Sequence, residues 1–220
     1  ALRAYEAILV GGQALPASQR ERATRLGARI VRTYGSTETS GGCVYDGVPL
    51  DGVGVRIVAG EVQLSGPMLA DGYLGEPDRT AASFIVDDGV RWYRTGDAGE
   101  FDENVLRVTG RVDNVIISGG VNVSLDRVEA VVRERPGLAS AVVVATADDR
   151  WGQASAVVVE IAALAEIGAD ESALLSEIRD TVGDRLGKPA RPARVVPVER
   201  MPVLASGKPD RAALRRMLAI

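Results

Sequence analysis

Residues 7–38 read AILVGGQALPASQRERATRLGARIVRTYGSTE. An apolar run ends at Gly11-Gly12, a helical segment opens at Pro16 and closes at Gly27, and a second apolar run, ARIVRTY, leads into a turn of glycine and hydroxyl residues. Strand, helix and strand in that order predict a β-α-β unit, the building block of parallel sheets. Its first strand opens almost at residue 1, so further sheet strands are expected upstream, and residues 1–112 read as the last part of a larger domain.

The texture changes beyond this unit. From about residue 44 to 111, short runs (GVRIV, EVQLS, VRWYRT, AGEF, VLRVTG) alternate with glycine and proline, the signature of a small antiparallel sheet or distorted barrel. From about 113 a compact mixed α+β domain is predicted. DNVIIS, ASAVVVA, QASAVVVEI and ARVVPVE read as strands, and SLDRVEAVVRER, DESALLSEIRDTVGDRL and PDRAALRRMLA as helices. The fold class is therefore α/β followed by α+β, with domains at 1–112 and 113–220. The basic stretch GKPARPAR, 187–194, reads as a solvated loop.

Composition narrows the chemistry. The 220 residues are 46% hydrophobic and 25% charged with a formal net charge of −4, which suits a globular chain and argues against a dedicated nucleic-acid surface. No apolar run approaches the roughly 20 residues of a membrane span, and no signal peptide is legible, so a cytoplasmic protein is expected. A single cysteine, Cys43, forms no internal disulfide, and the absence of histidine removes Ser/His and Cys/His dyads together. Chemistry here falls to carboxylates, Lys, Arg, hydroxyls and backbone.

Four polar stretches can carry it. YGSTE, 34–38, presents backbone N–H and hydroxyl groups to an oxyanion, with Glu38 as an oxygen ligand suited to Mg²⁺; it also reads as a tight turn with a capping Glu. WYRTGD, 92–97, places Asp97 where it could accept hydrogen bonds from a ribose diol, or merely pair with Arg94. TGRVDNVIISGG, 109–120, sets Arg111 and Asp113 at the seam between domains, as a linker ion pair or a nucleotide-contacting hinge. MPVLASGKPDR, 201–211, puts Lys208 on a glycine-loosened loop from which an ammonium could reach a site formed elsewhere.

Taken in order, YGSTE, GEVQLSGPMLADGY, YRTGD, GRVDNVIISGG and SGKPDR resemble the successive core motifs of the adenylate-forming superfamily: acyl-CoA synthetases, peptide-synthetase adenylation domains and luciferases. The resemblance implies an acid that attacks ATP to form an acyl-adenylate, which a thiol such as CoA then captures. By position it implies an adenine pocket at Gly11, Gly12, Gln13, Tyr34 and Gly35, an α-phosphate contact at Thr37, and Mg²⁺ at Glu38. It further implies ribose binding at Asp97, a nucleotide contact at Arg111, a hinge at Asp113, and Lys208 bridging carboxylate and phosphate. Thr37, Glu38 and Lys208 are thus the implied catalytic residues, and Ser118, Gly119 and Gly120 resemble the loop of the thioester step.

The stretch YGSTETSGGCVYDGVPLDGV is similar to actinobacterial o-succinylbenzoate:CoA ligases of menaquinone biosynthesis, which makes Ser40, Gly41, Gly42 and Cys43 candidates for the acyl pocket. Cys43 also reads as a small buried residue. Two departures stand out. The superfamily's glycine-rich phosphate loop is not in these 220 residues, and Leu125 occupies the proline position of its GGxNVxP stretch. Fatty-acyl or aryl-CoA ligation, and an inactive nucleotide-binding fragment, stay open as alternatives; the partners implied are a small carboxylic acid, ATP and CoA, with no membrane insertion, and oligomeric state is not legible.

Overall fold

The computed structural model describes residues 2–12, 15, 17–168 and 170–218, which form two compact units, Ala1–Val112 and Asp113–Ile220. Gln13 and Pro16 lie outside the described residues.

In the first unit, β1 (Ile8–Val10) and β2 (Ile30–Ser36) pair in parallel with Ile8 opposite Ile30, and α1 (Ala17–Arg25) crosses between them. β2 then pairs antiparallel with β3 (Gly41–Tyr45), and β3 with β4 (Val48–Pro49). The β2–β3 register slips between Tyr34 and Gly35. A Cβ on Gly35 would run into the Gly41 carbonyl, so the close approach at this slip requires glycine. β3 and β4 were not expected from sequence, because glycine and proline interrupt their apolar pattern.

The remainder of the unit is an antiparallel sheet of β5 (Gly54–Val58), β6 (Glu61–Ser65), β7 (Phe84–Asp87), β8 (Val90–Asp102) and β9 (Val105–Arg111), with α2 (Pro77–Ser83) before β7. Hairpin turns at Ala59-Gly60, Asp88-Gly89 and Glu103-Asn104 each carry two consecutive positive-φ residues, matching the twist of the flanking strands. Sequence divides β8 into VRWYRT and AGEF, but it is one strand, with a bulge between Ala98 and Gly99. Cys43, Val44, Val62, Leu64 and Leu106 form a core between the two sheets, against which Tyr34 and Phe101 pack. Each such buried aliphatic contributes about 1.5–3 kcal/mol.

The second unit is a five-stranded sheet: β10 (Val115–Ser118), β11 (Val121–Ser124), β12 (Val142–Asp148), β13 (Gly152–Glu160) and β14 (Arg194–Val198). β13 runs through the middle, antiparallel to β12 and parallel to β14. α3 (Leu125–Arg133) and α5 (Glu171–Leu186) cover one face, where Val128, Val132, Leu174, Ile178 and Val182 meet Val143 and Val157. α6 (Arg211–Leu218) covers the other, where Leu214 meets Val142, Val144 and Val158. Burial on both faces is why the strand sequences are continuous valine runs instead of alternating ones.

Sequence extends the second valine strand to Ile161, where α4 (Ile161–Ile167) begins. Leu125, at the first position of α3, is 2% exposed and joins the core, while Ser124 caps the helix by accepting from Arg127 N at 3.4 Å. Proline is favoured at that position, and leucine substitutes apolar burial for fixed φ.

Candidate functional site

Residues of YGSTE and YRTGD, far apart in sequence, line one cavity of about 160 Å³ together with Leu64 and Arg111. β2 delivers Tyr34, Gly35 and Ser36; β8 delivers Tyr93, Thr95 and Asp97; and β9 delivers Arg111, opposite Asp97 in the ladder. The Tyr34 hydroxyl donates to Asp97 Oδ2 at 2.6 Å, and Arg111 Nη1 donates to Asp97 Oδ1 at 3.3 Å and to the Thr95 carbonyl at 3.1 Å. Burial, reinforced by the Asp97 charge, drives the Tyr34 phenol far above its ordinary range, so it stays a donor.

Asp97 is held by its own turn. Its amide donates to Thr95 Oγ1 at 3.0 Å, and Thr95 Oγ1 donates to the Val62 carbonyl at 2.8 Å. Gly96 sits at φ +68, where a Cβ would meet the Arg111 guanidinium at 2.7 Å; its amide donates to Glu61 Oε1 at 3.0 Å. Glu61 Oε2 accepts from Arg94 Nε at 3.0 Å, so Arg94 pairs with Glu61 across the ladder. Sequence had offered Asp97 as its partner; strand alternation explains the difference, since Arg94 and Asp97 are an odd number of residues apart.

Glu38 lies in a 3-10 turn, Thr37–Thr39, and accepts a 2.7 Å hydrogen bond on Oε1 from the Tyr73 hydroxyl. Burial works against its charge, but hydrogen bonds from Tyr73, from backbone and from the hydroxyls of Ser36 and Tyr93 outweigh it and hold the carboxyl below the usual range. Tyr93 is driven the other way, well above its ordinary range, first by burial and then by the Glu38 charge. Among the described residues no three His, Cys, Asp or Glu side chains cluster as a metal cage. A lone ionised Glu38 fits a Mg²⁺ that takes its other ligands from phosphate and water.

The other sequence candidates divide. Gly11 packs at the end of β1 against Thr33, and Gly12, at φ +80, faces open space; Thr37 is exposed, and these three do not line the cavity. Ser40, in the left-handed region at φ 54, donates to the Met68 carbonyl at 2.9 Å, and Gly41 and Gly42 open β3 on the surface. Cys43 is 2% exposed within the core of the unit, where burial raises its thiol pKa.

In the second unit, Ser118 to Val121 close the β10–β11 hairpin with Gly119 and Gly120 at φ 56 and 82. Gly119 N donates to the Trp151 carbonyl at 2.9 Å, and the Trp151 ring lies where a Gly119 Cβ would stand. Lys208 is exposed on a loop closed on itself: Leu204 N donates to Lys208 O and Asp210 N to Pro202 O, each at 2.8 Å, and Val203 bridges Pro209. The division between units falls between Val112 and Asp113, beside Arg111 of the first unit.

Sequence reasoning gave no role to Tyr73, Tyr93, Thr95 or Glu61, although all four sit inside the motifs GEVQLSGPMLADGY and WYRTGD. It also missed a cavity of about 230 Å³ in the second unit, lined by Trp151, Arg150, Arg179, Lys188 and Arg191 among others. The stretch read as a solvated loop contributes Lys188 and Arg191 to this cavity, folded as a 3-10 turn at Lys188–Ala190.

The comparisons agree with this architecture. Residues 127–208 match the AMP-binding enzyme C-terminal domain. The chain is 39% identical over its full length to a probable 2-succinylbenzoate–CoA ligase of Mycobacterium tuberculosis, covering 56% of that protein. The amide bond synthetase McbA of Marinactinospora thermotolerans superposes with TM-score 0.82 at 32% identity, covering 97% of this chain and 47% of its own. The o-succinylbenzoate CoA synthetase of Bacillus subtilis, in complex with its acyl-adenylate intermediate, superposes with TM-score 0.79 at 28% identity, covering 95% and 46%. The chain thus spans about half the length of the relatives it matches. Residues 127–208 thus form an AMP-binding enzyme C-terminal domain, and the chain along its whole length is similar to a probable CoA ligase and to a synthetase solved with its acyl-adenylate.

Proposed function

We propose that the protein is an ATP-dependent acid:CoA ligase that works through an acyl-adenylate, with o-succinylbenzoate as the acid and menaquinone biosynthesis as its setting. The observation that carries the reading is the cavity of the first unit, where Tyr34, Glu38, Asp97 and Arg111 converge from three strands and a turn. Tyr34 offers an aromatic wall for adenine, with Gly11 and Gly12 just past the end of the neighbouring strand β1 and Gln13 next to them in sequence. Asp97 offers acceptors for ribose hydroxyls, held by Tyr34 and Arg111. Thr37 and Glu38 stand at the phosphates.

A carboxylate meeting a triphosphate is a meeting of anions, so the first step is limited by charge. Lys208 neutralises it, and Glu38 orients the oxygens around it; bound Mg²⁺ supplies further charge neutralisation. No proton need be taken from a carboxylic acid already ionised at pH 7, so a chain without histidine suffices. In the second step Lys208 withdraws as the second unit turns about Asp113, and the Ser118-Gly119-Gly120 turn guides the thiol. The Trp151 cavity, with its aromatic face and four cationic side chains, suits the nucleotide end of CoA.

The acid is argued from the stretch 40–43 and from the 39% identity to the mycobacterial protein. Cys43 acts there only as core filling, leaving Ser40, Gly41 and Gly42 as the pocket-side candidates. The likeness to an amide bond synthetase favours a second reading, in which an amine replaces CoA as acyl acceptor. Pyrophosphate release by the protein at its natural length, with o-succinylbenzoate, benzoate, and medium- and long-chain fatty acids, tests the first step. Preference for a fatty acid overturns the narrower assignment, and adenylate discharge by amines but not by CoA replaces the acceptor.

A further inference from the structure

The second unit contains a charged network that the function above does not use. Glu129 on α3 is 5% exposed, yet three groups satisfy its carboxylate. Arg211 Nη2 lies 2.7 Å and the Val143 amide 2.8 Å from Oε2, and Arg133 Nη2 lies 3.0 Å from Oε1. Arg211 Nη1 also donates to the Val143 carbonyl at 2.7 Å, and Nη2 lies 3.7 Å from Asp126 Oδ1. Asp126 in turn accepts from Asn114 Nδ2 at 2.8 Å, and the Asn114 carbonyl accepts from Leu125 N at 3.0 Å. One guanidinium therefore ties the base of α6, the start of β12, and the first turn of α3, which holds the residue after Asp113.

Burying a carboxylate is expensive, and apolar residues of similar volume usually hold a core edge as well or better. What an apolar pair lacks is direction. The planar fork of arginine fixes the start of α6 in both position and rotation against β12, which lysine, a point charge on a flexible stem, does not. Arg211 stands three residues after Lys208. The opposite end of the loop is held by the Met201 amide, donating to Glu160 Oε1 at 2.7 Å, and by Met201 itself in the α6-side core.

We propose that Arg211, acting through Glu129 and Asp126, is a positioning residue that sets the direction of Lys208 and locks its loop to the hinge-proximal segment as one rigid piece. The inference rests on the reading of Lys208 as an adenylation residue. Its test separates the half-reactions in Arg211→Lys and Glu129→Gln. Adenylate formation is expected to fall about tenfold in both, since small misplacements of a reacting group are costly, while thioester formation from supplied adenylate stays within about twofold. Amide exchange at Leu204, Gly207 and Asp210 is expected to quicken, with the β13 amides and the β12 amides beyond Val143 unchanged. Equal loss of both half-reactions, exchange quickened throughout the unit, unchanged behaviour, or failure of both variants to fold overturns the proposal. Lys208→Ala run in parallel keeps the two claims apart: intact adenylation there defeats the reading of Lys208, while the exchange data still judge the clamp.

Discussion

Tyr34 and Asp97, 63 residues apart, are joined by a 2.6 Å hydrogen bond between β2 and β8, two of the strands that line the cavity. A hydrogen bond to a charged group is worth about 1.5–3 kcal/mol. Tyr34→Phe keeps the ring and removes the donor, so Asp97 loses one of the groups that orient it. We expect a lower unfolding temperature and an ATP KM raised about tenfold, with kcat changed less, because the lost contact acts on nucleotide binding. A kcat loss at unchanged KM would place Tyr34 away from the nucleotide.

The Tyr73–Glu38 bond predicts a pH dependence. Hydrogen bonding holds Glu38 below its ordinary value, so in the folded state it binds its proton less readily than in the unfolded chain. Its stabilisation is therefore present above the unfolded carboxyl pKa, about 4.3, and is lost as pH falls through the lower folded value. Tyr73→Phe removes the bond. The variant should unfold at lower temperature than the parent at pH 7, by an amount worth about 1 kcal/mol, and the gap should close on acidification. Thermal melts of both proteins between pH 7 and pH 3 check this; a gap that widens in acid contradicts it.

How much of this was legible in the sequence follows from the range of each signal. The β-α-β unit and the valine strands were legible because local periodicity and two-sided burial write them into contiguous residues. α4 was not, since IAALAEI follows the valine run with only Glu160 between them and no glycine or proline to mark the change. β8 was divided because glycine and aspartate at 96 and 97 read as a turn, whereas a ladder to β9 carries the strand through them. The motif residues Tyr34, Glu38, Asp97 and Arg111 could be named from sequence, but the groups that hold them could not. Tyr73 reaches Glu38 across 35 residues and Glu61 reaches Gly96 across 35, contacts that only the tertiary fold creates.

Gly119 offers a test of the hairpin turn. At φ 56, with the Trp151 ring occupying the space of a Cβ, it cannot become alanine without backbone strain and displacement of the indole. Gly119→Ala should destabilise the protein by about 1–3 kcal/mol and depress thioester formation more than adenylate formation. Gly120, also at positive φ but facing open space, serves as the control: Gly120→Ala carries the strain without the clash. Trp151 fluorescence should change in the first variant and not in the second.

Lys208 carries the sharpest prediction, because its loop exposes it while fixing the backbone on both sides. Lys208→Ala removes one positive charge and no packing, so folding should be unaffected. If Lys208 neutralises the approach of carboxylate to phosphate, adenylate formation should fall about 10²–10³-fold, the loss typical of one preorganised electrostatic group. Thioester formation from supplied acyl-adenylate should persist, because that step begins with the phosphate charge already partitioned to the leaving group. Lys208→Arg keeps the charge but spreads it over a wider, planar head, and should recover only part of the rate. Full recovery by arginine would mean that charge alone matters and position does not; equal loss of both half-reactions in Lys208→Ala would remove Lys208 from the adenylation step.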